Sequence, residues 1–386
     1  MRAEVEARSL ELARRAQATD AWAAARGAGS TLYVERAKGA YVWDVDGNRY
    51  VDFVLGFGSI VLGHADDRVD RAVVEQLRCG TCVAPLWSPR QVELTELLTS
   101  VVPGAELAHL MRTGSDATSG AVRLARIYTG REQVLRWGYN GWHDWAAPRP
   151  DGIPASTRAA TFDYNDLPGL EALLAAHEGQ VACVLMMPFE LEAPAPGFLH
   201  EVRALAHRHG ALFVLDELRS GFRMAPGGAQ EHFGVEADLA AFGKAMANGY
   251  PISAVVGRAE VLGCLERTVM ASTSYGNAPE MAAALTTIGI LREEDVVARL
   301  WELGERFVAG LRAIVEDHAL PAEVVGYPVA PFLRFDDAEA RTRFFEATTR
   351  GGVLLHPKHQ WFLSAAHTDD DVGFALDVCR AAAESV

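Results

Sequence analysis

The sequence predicts an α/β protein: a mainly parallel sheet covered by helices on both faces, with a smaller α+β lobe beside it. Three observations carry this. From about residue 107, short apolar runs (LAHLM, QVLRW, VACVLMMP, ALFVLDE, DLAAFG and ISAVVG) alternate with helical stretches such as Ala117–Tyr128 and Leu199–Arg208. Earlier, YVWDVDGNRYVDF alternates about Asp46-Gly47, a strong hairpin signal. After about residue 293 the order changes to a helix, PVAPFLRF, another helix, and a predicted strand pair, GVLLHP and QWFLSA.

The 386-residue chain is 49% hydrophobic, enough to bury a substantial core without covalent staples. Its 51 acidic and 36 basic residues leave a formal charge of −15. That field opposes nucleic acid and anionic membranes, so an anionic ligand must be held by local donors. Five cysteines, at positions 79, 82, 183, 264 and 379, make no disulfide framework and fit a reducing cytoplasm. Cys79 and Cys82 form a Cys-x-x-Cys without the further ligands of a zinc site, and read as small packing residues. MRAEVEARSLELARRAQ is charged and helical rather than signal-like, and no segment reaches the apolar length of a membrane span.

Open α/β sheets bind ligands beyond the carboxyl ends of their strands, so residues closing the apolar runs are the candidates for chemistry. Thr113-Gly114-Ser115-Asp116 follows LAHLMR and opens a helix, presenting free N–H groups and a positive dipole end to an anion. Ser115 or Asp116 also reads as a plain helix cap, and the two roles are compatible. Asp216-Glu217 ends ALFVL, where a carboxylate needs a positive partner; a protonated pyridine nitrogen is one, and a capped turn is the other reading. Lys244, in AAFGKAMANGYP, sits between apolar and small residues and suits a desolvated amine able to form a Schiff base. Tyr139, in WGYNGWHD, offers a ring to stack on a flat cofactor, or to pack in a core. Cradle, aromatic, carboxylate and lysine thus follow one another, each at a strand end.

With these residues in place, the chain resembles the class III (omega-type) aminotransferases of pyridoxal-5'-phosphate (PLP) fold type I, and within them the glutamate-1-semialdehyde aminomutase-like branch. The likeness spans nearly the whole sequence through ERAKGAYVWDVDGNRYVDF, LGHADDRV, TGSDATSGAVRLARIYTGR, FGKAMANGYPISAVVGR and YGNAPEMAAAL, among others. It implies a large PLP domain (56–292) with a seven-stranded type of sheet, and a small domain built from residues 1–55 and 293–386. It implies that Lys244 is the Schiff-base lysine and proton shuttle, Asp216 the ring-nitrogen partner, Gly114 and Ser115 the phosphate cradle, and Tyr139 the stacking ring. Thr273 matches the threonine that reaches the phosphate from a neighbouring subunit, which implies a homodimer. A small-molecule amino donor, L-glutamate for instance, and an aldehyde or ketone acceptor are the implied substrates.

Departures cluster around the substrate. Asn140 replaces the usual His, Met187-Pro188 the usual Glu-Pro, and Leu-Gly-Phe at Phe57 the aminomutase's Ser-Trp. The arginine that grips a carboxylate there has only Arg26 as a positional counterpart. Arg219 stands where many relatives carry a Gln, and reads either as a guanidinium beside the ring or as a surface residue. GSDATSGAVRLAR, GYNGWHDW and GIPASTRAATFDYNDL resemble branch members acting on amino-sugar or aminocyclitol precursors, which implies a sugar- or cyclitol-like acceptor. Two rivals remain at this point: an intramolecular aminomutase, needing no separate donor, and a cofactor-binding protein with a degenerate site. A dinucleotide dehydrogenase is excluded because no G-x-G-x-x-G follows an early strand.

Overall fold

The structure, a computed structural model, describes residues 2–21, 32–149 and 151–386. Its strands in chain order are β1 (Val34–Lys38), β2 (Tyr41–Asp44), β3 (Arg49–Asp52), β4 (Leu107–Met111), β5 (Gln133–Trp137), β6 (Ala160–Thr161) and β7 (Val181–Met186). They continue as β8 (Leu212–Asp216), β9 (Leu239–Phe242), β10 (Ser253–Gly257), β11 (Ala322–Tyr327), β12 (Ala330–Phe335) and β13 (Val353–Leu354). The chain forms two compact units, residues 58–61 with 67–301, and residues 1–57 with 62–66 and 302–386.

The larger unit holds a seven-stranded sheet of order β4-β10-β9-β8-β7-β5-β6. β6, β5, β7, β8 and β9 pair in parallel, and β10 runs antiparallel between β9 and β4. Every residue of β7 and β8 is buried, which is why VACVLM and LFVLD read as unbroken apolar runs rather than alternating ones. The helix Gly114–Thr129 starts at a capping box between Thr113 and Asp116 and stops at Gly130, whose φ of 68° is left-handed. Ala117, Ala121, Leu124 and Ala125 form its buried face against Val134, Leu185, Val214 and Ala241 of the sheet. This packing brings the carboxyl ends of β5, β8 and β9 together, so the loops after Trp137, Asp216 and Phe242 are where a ligand belongs. Cys79 and Cys82 are exposed, not packed in the core as their small size predicts.

The smaller unit has a four-stranded sheet, β1-β2-β3-β13, in which β2 and β3 make the predicted hairpin and β13 joins β3 in parallel. Two expectations need correction. PVAPFLRF has an antiparallel partner in β11 that the reading missed, because Pro328-Val329 joins the two without the Gly or Asn of a typical hairpin turn. QWFLSA is not a strand. Trp361, Phe362 and Leu363 are fully buried in irregular backbone, where Trp361 N–H donates to Pro331 O and Phe362 N–H to Phe53 O, each at 2.8 Å. Their apolar run reflects core packing rather than a ladder.

Phe53 stacks on Phe307 with ring centroids 4.8 Å apart, and both are fully buried. Phe307→Ala should cost about 3–5 kcal/mol through lost burial and the cavity left behind. Urea unfolding measures it; a loss below about 1 kcal/mol would mean this aromatic pair does not organise the unit.

Candidate active site

A cavity of about 220 Å³ in the larger unit is lined by Gly114, Ser115, Tyr139, Asp216, Arg219 and Lys244, among others. Six candidate residues from distant parts of the chain thus meet. Thr273 does not line it; it opens a short 3-10 turn, and its carbonyl accepts a contact from Cys82 Sγ at 3.2 Å. Phe57 belongs to the smaller unit, where its ring meets His359 edge-on at 4.8 Å and His356 at 5.5 Å. Arg26 lies outside the described residues.

The floor of the cavity is the N-terminus of the helix Gly114–Thr129, whose first N–H groups lack intrahelical partners. Ser115 Oγ accepts from the N–H of Trp142 at 3.3 Å, tying the Tyr139 loop to this helix. Gly141, at φ 113°, is required there: a Cβ would fall 2.6 Å from Ser115 Oγ. Leu218 forms the apolar wall between the loops. A Cβ on Gly114 would lie 2.6 Å from its Cδ1, and one on Gly243 2.9 Å from its Cδ2.

Asp216 and Glu217 part company at the end of β8. Glu217 turns away, fully buried, and accepts from the N–H groups of Ala229 and Gln230 at 2.9 Å each and from the Ser220 hydroxyl. Burial pushes its carboxyl up to about 7. Asp216 faces the cavity and accepts from Asn140 Nδ2 at 2.9 Å and from the N–H of Leu218 at 3.2 Å. Burial raises its pKa, opposed by those two donors and by the charges of Lys244 and Arg219. A cation placed against it would offset that burial.

Asn140, which the sequence marks as a departure without a role, acquires one here. It is fully buried, and its carbonyl accepts from Thr118 Oγ1 at 2.7 Å, which fixes the loop while its amide orients Asp216. The available signal was an amide side chain one residue from the stacking tyrosine, in a loop ending in glycine.

Lys244 follows β9 with φ 48°, a left-handed conformation costly for a side-chain-bearing residue and often found where function holds a group in place. Among the described residues its amine has no hydrogen-bond or ion-pair partner. Burial lowers its pKa to about 8, Arg219 and Arg223 push the same way, and Asp216 opposes them. Arg219, which the sequence left between ring and surface, is largely buried in the cavity wall and pairs with Glu190 at 3.4 Å.

These residues fit PLP. A helix N-terminus would suit its phosphate, a buried carboxylate its ring nitrogen and an unpartnered amine its aldehyde, and the glycines leave room a Cβ would fill. An amine-reactive acylating reagent should modify Lys244 of the PLP-free protein at a rate that rises with pH and levels off above about 8. Arg219→Gln should move that midpoint upward, since losing a neighbouring positive charge makes protonation easier. Peptide mass spectrometry reads it; a midpoint at the ordinary 10.5 would mean the amine is solvated.

Comparison with known proteins bears on the same site. The family model described as "Aminotransferase class-III" matches residues 23–143 and 154–368. A 3-aminobutyryl-CoA aminotransferase of Cloacimonas acidaminovorans is 37% identical over 364 residues, covering 90% of this chain and 88% of that protein. An aminopentol aminotransferase of Sphingopyxis macrogoltabida is 36% identical, covering 92% and 87%. Among solved structures, the PLP-containing FumI protein of Sphingopyxis sp. MTA144 superposes with a TM-score of 0.93 at 34% identity, covering 98% of this chain and 96% of that one. No helix among the described residues is long and apolar enough to cross a membrane. The chain belongs to the class-III aminotransferase family and is a PLP-dependent aminotransferase, acting between a small-molecule amino donor and a carbonyl acceptor.

Proposed function

We propose that Lys244 holds PLP and shuttles the proton, that Asp216 pairs with the ring nitrogen, and that the acceptor is a polar, hydroxylated carbonyl compound without an α-carboxylate. One observation carries the substrate reading: the guanidinium in the cavity wall, Arg219, already faces a carboxylate, Glu190. A substrate carboxylate entering a chain of net charge −15 needs a dedicated bidentate donor, and this one is engaged. Hydroxyl groups need only neutral hydrogen bonds. The relatives named for 3-aminobutyryl-CoA and aminopentol support the reading, since neither compound is a free α-amino acid.

Bound PLP supplies an electrophilic carbon and an electron-accepting ring. The protein supplies the rest. Asp216, held by Asn140 and the Leu218 N–H, keeps a proton on the ring nitrogen. Gly114 and Ser115, which line the cavity at the helix start, would hold the phosphate through backbone N–H groups, and Tyr139 would cover a ring face. With PLP bound, Lys244 Nζ would be the base that takes the proton from the substrate carbon and gives it back, a role that a pKa near 8 suits at neutral pH. Glutamate is the simplest donor.

Lys244→Ala should remove nearly all turnover and the borohydride-reducible visible absorbance, and Asp216→Asn should slow turnover by orders of magnitude. Acceptors matched in size with and without a carboxylate, offered with an external donor, test the substrate. A strong preference for carboxylated acceptors that Arg219→Gln abolishes would overturn it, and turnover without any donor would point to the aminomutase reaction.

The active unit is proposed to be a homodimer in which Thr273 reaches the partner's phosphate site. Supporting this, Cys82 and Thr273 are in contact, and the chain running on from Cys82 presents Leu86 and Trp87 at 74% and 75% exposure. A surface that apolar is one that a partner covers. Trp87→Asp should yield a monomer of low activity on sedimentation; a fully active monomer would rule the dimer out.

A further inference from the structure

The larger unit carries a second, roomier depression of about 730 Å³ beside the cofactor cavity. Ser119, Arg123 and Arg126 line it from one face of the helix Gly114–Thr129, as their spacing of four and three residues dictates. Arg158 enters from just after the short turn Ala155–Thr157. Trp142 lines both this groove and the cofactor cavity, so the two adjoin at that residue.

The charge here opposes that of the whole chain. Three guanidinium groups line the groove against two carboxylates, Glu132 and Asp144, in a protein of formal charge −15. Among the described residues none of the three arginines pairs with a carboxylate. Arg123 gives a donor to Val269 O at 3.1 Å, and Arg126 gives Nε to Glu132 O at 2.8 Å. Each fork keeps further N–H groups; Arg158 bonds Ala155 O through its backbone N–H at 3.3 Å, and its guanidinium makes no hydrogen bond among those residues.

An imidazole adds to this set. Trp145 Nε1, which can only donate, bonds Ser119 Oγ at 2.8 Å, and Ser119 Oγ lies 2.8 Å from His143 Nδ1. The arrangement that uses the hydroxyl proton sends it to Nδ1, which leaves His143 Nε2 as a donor.

We propose that this groove binds the phosphorylated tail of the aminotransferase substrate, with Arg123, Arg126 and Arg158 on the phosphates and the reacting carbonyl or amine in the adjoining cavity. The proposal rests on the reading of that cavity as the active site and names its substrate class: a hydroxylated carbonyl compound at one end, a phosphate ester or diphosphate at the other. Guanidinium forks match phosphate oxygens in pairs, and they hold the tail locally against a repulsive global field.

Calorimetric titration of the PLP-saturated enzyme with inorganic pyrophosphate tests the site. We expect one site per chain, weakened about tenfold by Arg123→Ala and about tenfold by Arg126→Ala. Arg158→Ala, at an exposed position outside the core, should weaken it as well. No binding, binding indifferent to all three substitutions, or binding abolished by excess PLP would overturn the proposal. With any phosphorylated acceptor that turns over, pyrophosphate should inhibit competitively against it; noncompetitive inhibition would mark a free-anion effector site and overturn the substrate tail. Failure of every acceptor would instead count against the reading of the cavity, and the calorimetry would stand apart from it.

Discussion

A carboxylate at the end of a wholly buried strand has to be compensated, and much of the larger unit is arranged around that demand at Asp216. Burial raises its pKa. Asn140 and the Leu218 N–H provide two donors, and Lys244 and Arg219 provide positive charge from across the cavity. Asn140 in turn depends on Thr118, inside the helix whose N-terminus floors the cavity. Carboxylate, loop and helix are therefore one hydrogen-bonded assembly, and a ligand with a cationic ring atom and an anionic group completes its charge balance.

The candidate site was legible where a residue of telling chemistry closed an apolar run. Asp216 ends β8, Lys244 follows β9, Tyr139 follows β5, and Gly114-Ser115 follows β4. Strand burial makes such positions stand out, because a charged side chain directly after a fully apolar run cannot be explained as a solvated face. Asn140 was not legible in this way. An amide in a glycine-bounded loop looks like turn chemistry, and only the folded chain reveals that it points at a carboxylate 76 residues away. Arg219 was ambiguous for a similar reason, since its partner Glu190 lies on a different loop.

The fold was legible to the extent that periodicity and burial agree. The parallel strands read cleanly as continuous apolar segments. QWFLSA shows the limit: its apolar residues are as buried as any strand's, yet they fill a core rather than join a sheet. Hydrophobicity reports burial, and the choice between ladder and packed coil lies in backbone partners that composition does not encode. Cys79 and Cys82 fail in the opposite sense, being small enough to pack but left exposed.

Leu218 gives the site a property beyond catalysis. Its side chain is wedged between Gly114 of the phosphate cradle and Gly243, the residue before the lysine, and it follows the carboxylate by two positions. Three functional loops therefore bear on one solid piece. A larger residue at either glycine would drive the wedge toward the other loop, so the cradle, the ring partner and the lysine turn cannot drift independently over evolutionary time. Reshaping this enzyme for an altered cofactor would need compensating changes made together.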